Sequence, residues 1–244
     1  MQLAEGIHLV GSGRLGFSTS HDLDCHTYLV ANDRDAILID AGCGLGQELI
    51  LSSIDAAGVP HAHVAMILLT HAHPDHAGGA AGLAQALGAE IVASAEVATM
   101  LAGPDEEAIG LEAARIAGTY PPDFTVPATR VGTVAAGTIR VGGLAVETLQ
   151  TPGHARGHLC YLIERRRSRY LFSGDLVFAR GRVVVLGTHD SDVGLLAHSI
   201  ETVAAAGADA LLPGHGEVVM HEAGNHLSIA VECFRRGQLP PSLL

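Results

Sequence analysis

An α/β fold is predicted for this chain, because short apolar runs alternate with segments of helical composition from one end to the other. Glycine-rich turns punctuate the runs at short intervals, and several runs stop at a residue able to bind a metal. With 244 residues, 48% of them apolar, the chain can form one large domain or two small halves sharing a core. Its positive mean hydropathy excludes a disordered chain.

Taken in order, residues 28–30 and 36–40 are apolar runs flanking Asn32-Asp33-Arg34, and read as a hairpin. Residues 46–57 read as a helix, and 64–69 as a buried strand. A loop with two glycines then leads into a helix over 80–87 and a strand over 90–93. Residues 95–127 are Ala- and Glu-rich and end in Tyr120-Pro121-Pro122-Asp123-Phe124, which predicts one or two helices capped by a proline-rich loop. This stretch is taken as a helical insertion within a single domain spanning 1–244. Strands are expected at 130–134, 138–141, 145–149, 159–164 and 170–173, a helix at 193–206, a strand at 210–212 and a last helix at about 222–234. The arginine-rich stretch 165–169 reads as a solvated hairpin turn, and 188–192 as a polar loop capping the helix that follows.

Composition narrows the function. A net charge of −12 disfavours a nucleic-acid partner, because phosphate binding needs a basic face. The chain has no lysine, so no side-chain amine is available for Schiff-base chemistry. Its four cysteines are far apart and read as buried hydrophobes in a reducing compartment. No apolar run is long enough to span a bilayer, and the first residues lack a basic signal-peptide region, so a cytoplasmic protein without membrane contact is expected. Residues 235–241 are expected to pack on a neighbouring subunit or to fray, which makes a homodimer one expectation.

The chemistry is concentrated in Thr70-His71-Ala72-His73-Pro74-Asp75-His76. His71 and His73 are two apart, so on extended backbone they leave the same side of the chain. Asp75 and His76 lie past the bend at Pro74 and can face a second point, which suggests two neighbouring metal ions. Three later strands also end in metal-capable residues: His154 after Thr151-Pro152-Gly153, Asp175 after Phe172-Ser173-Gly174, and His215 after Pro213-Gly214.

Through HAHPDH, TPGH, FSGD and PGHG in that order, the chain resembles the metallo-β-lactamase fold superfamily over nearly its whole length. The resemblance implies an αββα four-layer sandwich, two mixed sheets flanked by helices. It implies that His71, His73 and His154 hold one metal, that Asp75, His76 and His215 hold another, and that Asp175 bridges them. Two Zn2+ are the expected cofactors, with iron or manganese as alternatives on the same nitrogen and oxygen donors. The implied reaction is attack on the carbonyl of a small-molecule thioester, lactone or related ester or amide by a metal-bridging hydroxide, with Asp75 relaying a proton.

Around this set, Asp40 matches an aspartate that orients a ligand imidazole in the family. His158 is assigned a structural hydrogen bond, because the ligand set is already full. His26 is near the family's site mouth and is a candidate substrate contact or a core histidine. Tyr120 and Phe124 are candidates for covering an acyl chain, and His189 lies in a loop that lines the cleft in relatives. Hydroxyacylglutathione hydrolase-like thioesterases and lactonases are the nearest branch in the resemblance, although the chain ends soon after His215, where the former carry a helical substrate domain. A persulfide dioxygenase with one iron and a β-lactamase are the alternatives.

Overall fold

The computed structural model describes residues 1–244, which divide into two compact units: Met1–Val134 with Arg140–Leu144, and Ala135–Ile139 with Ala145–Leu244. The first unit is built on a seven-stranded sheet in sequential order: β1 (Gln2–Ala4), β2 (Ile7–Gly11), β3 (Thr27–Ala31), β4 (Ala36–Ile39), β5 (Val64–Leu68), β6 (Glu90–Ala93) and β7 (Gly132–Thr133). The strands from β1 to β4 pair antiparallel and those from β4 to β7 parallel. The β3–β4 hairpin is set by Asn32, whose side-chain oxygen accepts from the backbone N–H groups of Arg34 (2.9 Å) and Asp35 (2.8 Å).

Parallel pairing from β4 onward needs crossovers, and helices supply them. Helix α1 (Gln47–Ala56) buries Ile50 and Ile54, one turn apart on one face. Each such side chain contributes about 1.5–3 kcal/mol by leaving water. The four-residue α2 (Pro74–Ala77) begins with proline at its first position, where the missing N–H would have no helical partner anyway. Helix α3 (Ala80–Leu87) buries Leu83 and Leu87. Beyond β6 come α4 (Ala95–Ala102), capped by the Ser94 hydroxyl accepting from Val97 N–H at 3.2 Å, and α5 (Leu111–Ile116).

The second unit carries most of a five-stranded sheet in the order β12-β11-β10-β9-β8, made of β8 (Gly137–Val141), β9 (Leu144–Gln150), β10 (Leu159–Arg165), β11 (Ser168–Gly174) and β12 (Ala210–Pro213), with Arg140, Val141 and Leu144 counted in the first unit. Strands β9, β10 and β11 pair antiparallel, and β12 joins parallel to β11. The β10–β11 turn consists of Arg166 and Arg167 at φ 48° and 71°, the paired left-handed conformation of a two-residue hairpin loop. Helix α6 (Val193–Ala205) makes the crossover to β12 and is capped by Asp192, whose carboxylate accepts from Leu195 N–H at 2.9 Å. Helix α7 (Ala223–Arg235) buries Leu227, Ala230 and Val231 at helical spacing. No helix is long and apolar enough to cross a membrane.

The structure departs from the sequence reading in four places. The strands β1 and β2 were not anticipated, because β2 is a short apolar run interrupted by His8, with no clear alternation. The strand expected at 130–134 is reduced to two residues in β7. The stretch after Pro74 winds into α2 where only a bend was foreseen, and this puts Asp75 and His76 on a helical turn. Pro241, the last residue of the stretch expected to pack on a neighbouring subunit or to fray, is paired within the chain: its carbonyl accepts from Val183 N–H at 3.1 Å, and Leu243 N–H donates to Val183 O at 3.0 Å.

Candidate metal centre

In the first unit, β5 delivers the chain to Thr70 and His71, and α2 presents Asp75 and His76. His71, His73 and His76 are all buried, while the Asp75 side chain keeps 24% of its surface exposed. His71 Nε2 and His73 Nδ1 face each other at 3.0 Å, and the rings of His71 and His76 lie 4.2 Å apart. Asp75 Oδ2 stands 3.6 Å from His76 Nε2. Helix α5 reaches the same place. A Cβ on Gly110, at the start of α5, would sit 3.1 Å from the His73 ring, so glycine backbone is what lets the two approach.

One carboxylate decides which imidazole nitrogens are available. Asp40, in the left-handed region at φ 59°, accepts from Thr70 N–H at 2.8 Å, from the Thr70 hydroxyl at 2.9 Å and from His76 Nδ1 at 2.8 Å. Since the Thr70 hydroxyl spends its only proton on Asp40, it accepts from His71 Nδ1 at 2.9 Å. Both His71 and His76 therefore carry their proton on Nδ1 and leave Nε2 unprotonated, a form that can ligate a metal. Cys25 lies with Asp40 and His76 in one buried group. Burial, opposed by the nearby His76, pushes the Cys25 thiol up to about 12, so without a bound metal it stays protonated.

In the second unit, His154, Asp175 and His215 follow the ends of β9, β11 and β12. Gly153 holds φ 136°, and a Cβ there would meet the backbone nitrogen of Leu196 at 2.2 Å, so the loop lies directly on α6. His154 Nδ1 donates to Val184 O at 3.2 Å, which again leaves Nε2 unprotonated. Asp175 Oδ2 stands 3.7 Å from His154 Nε2 and 3.6 Å from His215 Nε2. These gaps exceed hydrogen-bond length and are close to the ~3.4 Å between two ligands on one tetrahedral ion with ~2.1 Å bonds. His158 accepts from Asp175 N–H through Nε2 at 3.3 Å, so its Nδ1 proton goes to the Thr151 hydroxyl at 2.9 Å. Its ring nitrogens are both engaged, and it fixes the backbone of Asp175.

The remaining candidates are more scattered. His26 is buried against Phe17 and Tyr28, with ring centroids 5.5 and 6.0 Å away, beneath the loop that follows β2. Tyr120 and Phe124 are buried and stacked on each other at 4.5 Å, and Phe124 also lines a cavity of about 340 Å³ with Cys43, Gln47, Gly79 and Pro121. Arg115 ties this loop down by donating to Phe124 O at 2.8 Å. His189 is exposed in the loop before α6. Sequence reasoning missed Thr70, Thr151 and Val184. The only available signal was a threonine immediately before the first ligand, repeated three residues before His154.

The chain thus carries clusters of His and Asp that could hold a metal ion, on loops that leave the ends of mixed sheets flanked by helices. The model of the metallo-beta-lactamase superfamily matches residues 22–215, and the chain belongs to that superfamily. Among curated relatives, a lactamase-like protein nscB of Neosartorya fischeri is 31% identical over 80% of this chain and 48% of its own length. An atrochrysone carboxyl ACP thioesterase of Aspergillus fumigatus is 27% identical over 80% of this chain and 51% of its own. The chain spans about half the length of these relatives. Among solved structures, a metallo-beta-lactamase from Cronobacter sakazakii matches with a TM-score of 0.74 at 21% identity, covering 97% of this chain and 95% of that one. A subclass B3 metallo-beta-lactamase of Bradyrhizobium japonicum gives 0.72 at 22% identity, over 97% and 91%. The α/β metallo-beta-lactamase fold is therefore this chain's fold.

Proposed function

We propose that this chain is a dinuclear zinc-dependent hydrolase acting on the carbonyl of a small-molecule acyl substrate, with thioesters first. The observation that carries the reading is the tautomer pattern: His71, His76 and His154 each commit Nδ1–H to a protein acceptor and keep Nε2 as a lone pair. Ligand histidines are commonly held this way, the Nδ1–H tied to a carbonyl, hydroxyl or carboxylate so that Nε2 is oriented and unprotonated. The donor set of imidazole and carboxylate without thiolate fits zinc.

His71, His73 and His154 would hold one ion and Asp75, His76 and His215 the other, with Asp175 shared. Two zinc ions, when bound, would supply Lewis acidity and lower the pKa of a shared water towards neutrality. Asp40 and Thr70 keep the protons of His71 and His76 away from the ligand side. Asp75, the one partly exposed member of its group, is placed to pass a proton to the leaving group. A thiol leaving group is preferred because a relative of similar sequence is named as an ACP thioesterase. The acidic chain, at −12, disfavours a nucleic-acid substrate on electrostatic grounds.

Metal analysis and a substrate panel test this directly. Two zinc per chain, with turnover of thioesters above lactones and β-lactams, is the expected result. One iron per chain with oxygen uptake on a persulfide would overturn it. Asp175→Ala should remove one zinc and nearly all turnover.

A further inference from the structure

We propose that residues 241–244 form a backbone strap that positions His154, and through it one of the two metals. The proposal rests on the metal reading above and deepens it. Residues 241–243 run parallel to Val183, taking its N–H with Pro241 O at 3.1 Å and its carbonyl with Leu243 N–H at 3.0 Å. On extended backbone the N–H and C=O of one residue point to one edge and those of the next residue to the other. Binding both polar groups of Val183 on one edge turns the carbonyl of Val184 to the opposite edge, where it accepts from His154 Nδ1 at 3.2 Å. That hydrogen bond selects the tautomer and the ring orientation of His154.

The strap is anchored at both ends. On the Val183 side, the preceding turn over Ala179–Gly181 docks on α7, with Arg180 N–H donating to His226 Nδ1 at 2.7 Å. On the other side, Pro240 is buried and Leu243 is half-buried, its Cδ1 lying 3.4 Å from the position a Cβ would take on Gly216. Gly216 follows His215 directly. Pro241, Ser242 and Leu244 are exposed and make no core of their own, so main-chain pairing is their contribution to the fold. Losing the direct partner of a ligand imidazole, here Val184 O, costs a metal about 10–100-fold in affinity, and the strap acts through that carbonyl.

Zinc affinity measured by chelator competition on the full chain is the test, with three variants compared. Leu243→Pro deletes the N–H that holds Val183 O, Leu243→Ala keeps that N–H but removes the side chain, and a third variant stops after Leu239. Leu243→Pro and the shortened chain should lose about 10-fold or more for one zinc while the other stays within about twofold, and Leu243→Ala, which gives up only the side-chain contact near Gly216, should lose clearly less than Leu243→Pro. Amide exchange adds a second readout: Val183 N–H should be protected in the wild type. The strap is overturned if Leu243→Pro binds both zinc ions normally, if Leu243→Ala loses as much as Leu243→Pro, if both zinc ions weaken equally, or if Val183 N–H exchanges freely. A shortened chain that does not fold leaves the Leu243 pair and the exchange measurement to decide. A wild-type chain that takes up no zinc overturns the metal reading itself, and the strap with it.

Discussion

The two units each present a group of metal-capable side chains, but they organise them by opposite means. The first unit draws His71, His73, Asp75 and His76 from six consecutive residues and fixes two of the imidazoles through a single buried carboxylate, Asp40. The second draws His154, Asp175 and His215 from three separate loops and fixes them through neutral partners: a backbone carbonyl at Val184, and His158 with Thr151 beneath Asp175. A contiguous motif can share one orienting group because its ligands leave the chain within a few ångströms of each other. Dispersed ligands need separate supports, and each support is weaker because it is neutral.

The contrast can be broken by mutation, and Asp40→Ala carries the largest expected effect. It leaves Thr70 N–H, the Thr70 hydroxyl and His76 Nδ1 without their buried acceptor. A loss of about 3–5 kcal/mol in denaturant unfolding is expected, together with loss of bound zinc. A stable, zinc-loaded Asp40→Ala protein would show that the first unit does not depend on one carboxylate.

Next comes Gly153→Ala in the second unit, where the added Cβ meets Leu196 N at 2.2 Å on a backbone at φ 136°. About 2–3 kcal/mol of destabilisation is expected, with His154 displaced and zinc bound more weakly. Thr70→Val and Thr151→Val sharpen the comparison at matched positions. Each should cost about 1–2 kcal/mol, but only the Thr70 change severs an imidazole from its carboxylate. Zinc affinity should therefore fall further for Thr70→Val than for Thr151→Val.

The smallest effect concerns pH. Cys43, whose backbone N–H donates to Asp24 Oδ1 at 2.8 Å, has its thiol raised above 9.0 by burial and by the neighbouring Asp24 carboxylate. The native chain therefore keeps a proton that the unfolded chain has lost, so this contribution to stability is complete below about pH 9 and falls as pH rises beyond it. Denaturant midpoints taken from pH 8 to pH 10 should drop less steeply in Cys43→Ser than in the wild type.

Much of the fold was legible in the chain, for reasons visible in particular elements. Strand β6 spans the expected residues 90–93, because Glu-Ile-Val-Ala is a short apolar run between a helix end and a serine cap. Helices α1, α3, α6 and α7 fall within a residue or two of their expected ends, since each buries an apolar face at helical spacing. The short β7 and the edge pair β1 and β2 were missed or misjudged because pairing partners, not local pattern, decide whether such segments become strands.

The sequence by itself determined which residues are chemically able to bind metal and the α/β order of elements that carries them, because residue type and hydrophobic period are local properties. Only the tertiary structure decided that Thr70 passes the influence of Asp40 to His71. It also decided that His158 holds the Asp175 backbone, and that residues 241–243 fix Val183. Those relations join positions up to sixty residues apart through single hydrogen bonds on threonine, backbone amide and carbonyl groups. Every residue of a chain carries such backbone groups, so no pattern in the sequence marks the few that matter.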